Sequence, residues 1–515
     1  MSDDHLVDGE NPTSSSITGL VVAVLLVSAL MIWWAITLGL SVDELLYLRA
    51  IDLGPVDSLM SKGSSHPPLF RWIAGAFLDG SAPDWMLRIP SILCTVATLF
   101  VWHLIFRRLF DDHIIAGLVL LLTACNIHWL EHGFQLLPYT FLTLLGSAHC
   151  LFWLRTIENP NLRNIAGFAL TGAATFWTHF YGLNLLVADQ IIWICLVLRN
   201  RHYLKTWMTA SIASFILASP MLPIAWFYAQ TEKPFALVEI DDFKLYFVLY
   251  SQQFFSTSTF NLTFLGSLLI GWYAIVLNVF LKFFTDDVTW PKNEAPDPVC
   301  KRRIQLLILA GLFLAGLPAA QAHSLISAKA MWPRYTLVAS WTHWPLLFLF
   351  MSQFSIPVSK KKTIAVLGIA VCVCGLVVNK VFKQQVMFSY DPEVQLIKEH
   401  SQPGDGFFAQ DFDFFVGPAN IDRLWFERYS PVEMEVFSGE IAGRFEIYRR
   451  GVNFESVPES VNRFWVCSSM FRPNQFNTDQ EPGWDLVLQE TPHGSIFPIA
   501  LFERTDRKSD EPEDE

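Results

Sequence analysis

Ser41-Val-Asp-Glu-Leu-Leu-Tyr47, answered a short way on by His66-Pro-Pro-Leu-Phe70, is the stretch on which the reading of this 515-residue chain turns. The carboxylates of Asp43 and Glu44 follow directly on an apolar run, Ile17 to Leu40, that is long enough to cross a bilayer. Acidic side chains at a membrane boundary are costly to desolvate. They either mark the wet end of a helix or are kept there for a task, and the remainder of the chain decides between these readings.

Hydrophobic residues make up 52% of the chain, and they come in long blocks. Because about 20 apolar residues span a bilayer as a helix, the chain reads as an α-helical polytopic membrane protein of about eleven transmembrane helices. The spans fall near 17–39, 89–106, 113–130, 138–154, 164–179, 182–198, 207–228, 262–284, 304–322, 335–352 and 363–381. Ile17 to Leu40 is too long for the apolar core of a cleaved leader and reads as a retained first span. The net charge of −12 is concentrated in two acidic ends, Met1 to Glu10 and Asp506 to Glu515. No basic face suited to nucleic acid is present. Six of the eight cysteines lie in apolar runs, where Cys packs as a small hydrophobe, so no disulfide framework is expected.

Basic residues collect on alternate connections: Arg107-Arg108, Arg155 with Arg163, Arg199 with Arg201 and Lys205, Lys301-Arg302-Arg303, and Lys360-Lys361-Lys362. By the positive-inside rule these loops are cytoplasmic, as is the N-terminus, and the region after residue 381 is extracytoplasmic. The expected location is a multi-pass cell membrane of the bacterial inner or plasma type. Four further divisions follow: an acidic cytoplasmic tail (1–16), a transmembrane domain (17–382), an extracytoplasmic α/β domain (383–505) and an acidic tail (506–515). Within the second, the first outer loop (40–88) contains Leu69 to Leu78, an apolar stretch too short to span and suited to lying at the interface. A second long outer segment, Gln230 to Asn261, is rich in Phe and Tyr and fits a covering loop or interfacial helix. Past Lys383, short apolar runs at Gly406–Ala409, Phe445–Tyr448, Arg463–Cys467, Trp484–Gln489 and Ile496–Phe502 predict strands, and Asp391–His400 one helix.

This topology sends Asp43, Glu44, Arg49, His66, Arg88, His128, Glu131, His132, Gln135, His179, Tyr181, His323, Lys329 and Arg334 to one rim. A cavity lined by carboxylates, imidazoles and cations suits an anionic, lipid-linked substrate. Arginine grips phosphate and a carboxylate takes a proton from a hydroxyl. Arg88 and Arg334, each at the outer end of a span, are candidate phosphate clamps, or else snorkel to the headgroups. His128-Trp-Leu-Glu131-His132 matches the H-x-x-E-H pattern of inverted zincins. A five-residue match at a span end is weak, however, and no metal site is expected. Asp189 is the acidic residue that stands inside a span, the feature that a transporter would need. No internal repeats support that reading.

Taken together, several motifs resemble the GT-C-type glycosyltransferases of the protein O-mannosyltransferase and aminoarabinose-transferase kind (family 39-like). They are Asp43-Glu44-Leu-Leu-Tyr47, His66-Pro-Pro-Leu-Phe70, Leu87-Arg88-Ile-Pro-Ser91, Arg107-Arg108-Leu-Phe110, Thr178-His179-Phe-Tyr181-Gly182 and Pro333-Arg334-Tyr335. Their order and spacing run across residues 15 to 350. The resemblance implies GT-C architecture and transfer of a sugar from a polyprenyl-phosphate donor to an acceptor hydroxyl, with inversion. Asp43 would be the catalytic base. Glu44 and Glu131 are the other acidic candidates, with Glu44 shaping the loop. Tyr47, His66, Arg88, His132, Gln135, Tyr139, His179, Tyr181, Arg334 and Tyr335 would bind substrate. No cofactor is required; a divalent metal helps some GT-C enzymes and is not expected here. Partners would be the donor, membrane lipids and an acceptor polysaccharide, lipid or protein.

The chain departs from the family at Gln135-Leu-Leu137-Pro138-Tyr139, where Gln135 and Leu137 stand for an acid and an arginine. Glu131, about one turn earlier, is the candidate substitute. A non-catalytic scaffold of the same fold is therefore the alternative.

Overall fold

A computed structural model describes residues 14–55, 66–231, 262–285, 298–316, 318–319, 336–354, 356–377, 391–410, 426, 428–429, 434–439, 457–467, 483–490 and 499–505. The acidic ends, the aromatic segment before residue 262, the run Phe445–Tyr448, and Arg334 with Tyr335 lie outside the described residues.

Helices come in this order: α1 (Ser14–Thr37), α2 (Val42–Asp52), α3 (Leu69–Gly75), α4 (Asp84–Leu87), α5 (Ile89–Leu109), α6 (His113–Ala124), α7 (Ile127–His132), α8 (Tyr139–Glu158), α9 (Leu162–Thr178), α10 (Gly182–Arg199), α11 (Tyr203–Ala218), α12 (Met221–Thr231), α13 (Leu262–Thr285), α14 (Pro298–Ala315), α15 (His343–Met351), α16 (Val358–Val377) and α17 (Asp391–His400). Among the described residues, Ile17–Thr37, Ile89–Leu109 and Gly182–Arg199 are long and apolar enough to cross a membrane.

Helices lie on every stretch expected to span, with four differences that have local causes. The run near 113–130 is broken at Asn126, whose side-chain oxygen accepts from the Trp129 N–H and so starts α7 afresh. The run near 207–228 is broken at Ser219-Pro220: proline has no N–H to continue the helical ladder, while Ser219 itself keeps helical backbone (φ −57°, ψ −35°). The last apolar helix starts at Val358, not 363: Lys360, Lys361 and Lys362 sit in its first turns, and Lys362 reaches Asp112 at 3.1 Å. Ahead of α15 the chain makes a short 3-10 turn, Ser340–Thr342, leaving nine residues of α-helix.

The chain packs as two units: Met1–Ala35 with His66–Lys383, and Ile36–Ser65 with Gln384–Glu515. In the first, α9 lies between α8 and α11, α8 packs on α5, and α14 on α10. Small residues permit these approaches. A Cβ at Gly146 of α8 would stand 2.5 Å from the Val338 carbonyl oxygen. Gly146→Leu is accordingly expected to lower unfolding stability by about 1–3 kcal/mol or more, read as a drop in thermal midpoint in detergent.

The second unit holds a five-stranded mixed sheet in the order β2-β1-β3-β5-β4. Its strands are β1 (Gly406–Gln410), β2 (Glu435–Gly439), β3 (Arg463–Cys467), β4 (Trp484–Glu490) and β5 (Ile499–Arg504). β1 runs parallel to β2 and β3, while β5 is antiparallel to β3 and β4. Phe408, Phe464, Val466 and Phe502 form one buried face with Val457 and Val461. β2 lies in a stretch where no strand was expected. The same unit contains α2, so the acidic stretch belongs by packing with the sheet and not with the bulk of the apolar helix α1 that precedes it in sequence.

Candidate functional site

The stretch expected to be an outer loop around Asp43 is a helix. Ser41 is its N-cap in extended backbone (φ −73°, ψ 163°), and the capping box is complete. The Ser41 N–H donates to Glu44 Oε2 at 2.9 Å, and the Glu44 N–H donates to Ser41 Oγ at 3.4 Å. The two neighbouring carboxylates are thereby separated. Glu44, grouped above with the catalytic acids, is fully buried and closes the cap, whereas Asp43 is half-buried at the start of the helix. Negative charge at this end is favoured by the exposed backbone N–H groups. Tyr47 is buried on the same helix.

In the other unit, six of the expected substrate residues come together. His66 precedes Pro67-Pro68, which leads into α3; Tyr139 opens α8 behind Pro138; His179 ends α9 and Tyr181 caps α10. The His66 and His179 rings lie 4.9 Å apart between centroids, and Tyr139 sits 5.7 Å from each. The Tyr139 hydroxyl reaches His66 Nε2 at 3.4 Å. His132, at the end of α7, lies 5.3 Å from the Tyr139 ring, and Tyr181 5.6 Å from His179. Tyr139, His179, Gln135 and His132 are buried; His66, Tyr181 and Glu131 are half-buried.

Hydrogen bonds set two of the imidazoles. His132 Nδ1 lies 2.7 Å from Gln135 Oε1, and since an amide oxygen only accepts, Nδ1 donates. The Tyr181 N–H donates to His179 Nδ1 at 3.2 Å, which leaves the proton of a neutral His179 on Nε2. Gln135 thus orients His132, the task open to an amide where an acid is lacking. Among the described residues, no three His, Cys, Asp or Glu side chains are arranged to hold a metal ion.

Arg88 was expected at the membrane rim and is instead buried, 1% exposed. Its Nη1 donates to the Ala35 carbonyl at 3.3 Å, in the last turn of α1, and its guanidinium stands 4.9 Å over the Phe134 ring. A cation satisfying the free carbonyls of a helix C-terminus is a favourable pairing, and it makes Arg88 an anchor of α1.

Arg71 was missed. It lies in Leu69-Phe-Arg-Trp-Ile-Ala-Gly75, read above only as an apolar interfacial stretch, where an arginine should reach for water. Instead it is 3% exposed. Its Nη2 donates to the His66 carbonyl at 3.0 Å, its Nε is buried with no hydrogen-bond partner, and no carboxylate among the described residues pairs with it. A second buried pair also lies outside the expected set: His149 Nε2 meets Asp189 Oδ2 at 2.7 Å between α8 and α10.

Residues 65–226 match the model of the dolichyl-phosphate-mannose-protein mannosyltransferase family. Among curated proteins none matches the sequence. Among solved structures, the chain is similar to ArnT from Cupriavidus metallidurans bound to undecaprenyl phosphate, with 12% identity, 94% of this chain and 98% of that chain covered, and a TM-score of 0.43. It is also similar to the same protein in the apo state, with 11% identity, 95% and 98% covered, and a TM-score of 0.39. The matched stretch runs from the residue before His66 through α11 and into α12, so it contains the imidazole and phenol cluster and Arg71. By that match the chain is similar to the dolichyl-phosphate-mannose-protein mannosyltransferase family, the family 39-like GT-C glycosyltransferases that its motifs resemble.

Proposed function

We propose that this protein transfers a sugar from a polyprenyl-phosphate-linked donor to an acceptor hydroxyl on the outer face of a membrane. The observation that carries the proposal is the buried Arg71 guanidinium, fixed to the His66 carbonyl and left without a carboxylate among the described residues. A buried cation is costly until an anion pairs with it. The phosphate of a lipid-linked sugar is such an anion, and arginine presents the donor fork that matches it. His66, Tyr139 and His179 line the same place with groups suited to sugar hydroxyls and phosphate oxygens.

In the reaction, Asp43 takes the proton of the acceptor hydroxyl as that oxygen forms a bond to the anomeric carbon. The bond between the anomeric carbon and the donor phosphate oxygen breaks, its electron pair leaving with the polyprenyl phosphate, and the configuration inverts. Arg71 steadies the charge that collects on the leaving phosphate. Neither cofactor nor metal enters this scheme. The acceptor is a polysaccharide, lipid or protein hydroxyl. The membrane part crosses about eleven times, with the N-terminus cytoplasmic and the sheet-bearing region outside. The second reading, a donor-binding protein without chemistry, draws on Gln135 occupying the place of an acid and being engaged with His132.

Binding tests the proposal directly. Wild-type protein in lipid should bind undecaprenyl phosphate, followed by native mass spectrometry or thermal shift. Arg71→Met should weaken that binding about 10- to 100-fold, the loss expected for charge-assisted hydrogen bonds, and Arg71→Lys should retain part of it. The unliganded Met variant should unfold no earlier than wild type, because an unpaired buried charge has been removed. Equal binding by wild type and Arg71→Met would remove Arg71 from the site, and no binding by wild type would remove the donor class.

A further inference from the structure

We propose that Tyr429, in the sequence around the C-terminal sheet, is a positioning residue for the acidic helix α2; its catalytic consequence rests on the transferase reading above. The Leu40 N–H donates to the Tyr429 hydroxyl at 2.7 Å, joining residues 389 positions apart. Leu40 is fully buried and immediately precedes the N-cap. The bond therefore continues a series along the start of α2. Leu40 N–H goes to Tyr429, Ser41 N–H to the Glu44 carboxylate, Glu44 N–H to the Ser41 hydroxyl, and Leu45 N–H to the Ser41 carbonyl at 2.9 Å. Three of these acceptors are local to the helix. Tyr429 is the long-range one, and it fixes the helix start against the rest of the unit.

Tyr429 lies close in sequence to a ring packed on the sheet. Phe426, three residues earlier in the sequence, stacks on Phe407 of β1 with ring centroids 4.0 Å apart and planes at 12°, and both rings are buried. The path runs from β1 through the Phe407–Phe426 ring contact, three residues along the chain to Tyr429, and then through Leu40 and the capping box to Asp43. A general base must sit within hydrogen-bond reach of the proton it removes, so a device that fixes the backbone three residues before Asp43 acts on turnover more than on donor affinity. This gives the sheet-bearing region a task in the reaction, although its described residues carry no catalytic motif.

The test uses the full-length protein in lipid nanodiscs, comparing wild type with Tyr429→Phe by amide hydrogen exchange and by transfer kinetics. The substitution removes the accepting hydroxyl and keeps the ring. Exchange at the Leu40 amide should rise about tenfold, the worth of one such bond, while strands β1 and β3 exchange as before. The kcat should fall about tenfold with KM for the polyprenyl-phosphate sugar within about twofold of wild type. Unchanged exchange at Leu40 would overturn the tether. Faster exchange with unaltered kcat would overturn its role in positioning. A wild type that exchanges as expected but transfers no sugar would count against the transferase reading and leave the tether standing. Should the strands also exchange faster in Tyr429→Phe, Phe426→Leu decides: it loosens the anchor with the hydroxyl kept, and protection unchanged at Leu40 would overturn the proposal.

Discussion

Asp43→Asn is expected to lower kcat by about 100- to 10,000-fold, the range that a positioned general base contributes, with donor binding left intact. The substitution preserves shape and removes only the ability to accept a proton. The contrast that gives this result meaning is one residue away. Glu44 is fully buried and its Oε2 accepts from the Ser41 N–H at 2.9 Å, a bond that a glutamine can also accept. Glu44→Gln should therefore keep the cap of α2 and turn over within about threefold of wild type, a rate change worth well under 1 kcal/mol. Two adjacent isosteric acid-to-amide changes then differ in kcat by orders of magnitude. Single-turnover measurement with a pre-bound donor separates chemistry from binding. Comparable losses in both variants would mean that the helix start as a whole, not the Asp43 carboxylate, is what matters.

Breaking the pair His149–Asp189 is the second large effect. His149 Nε2 lies 2.7 Å from Asp189 Oδ2, and its Nδ1 lies 2.9 Å from the Phe168 carbonyl, which only accepts, so Nδ1 donates there. Both side chains are almost wholly buried. The Phe168 ring stacks 4.2 Å from the imidazole, with Trp153 at 6.0 Å. His149→Phe strands the carboxylate in an apolar setting and is expected to destabilise the protein by about 3–5 kcal/mol. Asp189→Leu alone leaves the imidazole its Nδ1 partners, the Phe168 carbonyl and the Thr171 hydroxyl, and should cost less. The double variant should recover much of the loss, since replacing a buried pair with apolar residues is often neutral. Thermal unfolding of the four proteins in detergent measures the cycle. Additive losses would mean that the two groups act independently. Asp189, the residue that a transport pathway would have needed, is on this account part of the packing between α8 and α10.

How much of this could be read from the sequence varied with the physics involved. Apolar blocks reveal helices directly, so the locations of α1, α5, α8, α9 and α10 followed from composition, while their breaks did not. Pro220 carried a clear signal of interruption, whereas Asn126 acts through a side-chain cap that apolar counting ignores. The capping box around α2 was legible as Ser41-x-x-Glu44, but the helix was hidden by its place after a span, where loop was the simpler expectation. The cluster of His66, His132, Gln135, Tyr139, His179 and Tyr181 became visible because alternate basic loops sort span ends onto two sides. Grouping by side narrows the choice but does not give neighbours.

Burial is what the sequence withheld. Arg88 reads as a cation at a span end and Arg71 is lost inside an apolar stretch, and both are buried, for different reasons. Arg88 satisfies the carbonyl end of α1 over Phe134. Arg71 lies under the His66 backbone with its Nε unbonded. The tie between Leu40 and Tyr429 spans 389 residues and has no local signature at all.

The central claim is most directly tested by reconstituting the wild-type protein with a panel of polyprenyl-phosphate sugars and acceptors and following the free lipid phosphate. Release of polyprenyl phosphate in step with an inverted glycoside on the acceptor, from at least one donor and lost in Asp43→Asn, is the result expected. Binding of the lipid phosphate with no release from any donor, or release unaffected by Asp43→Asn, would contradict the account.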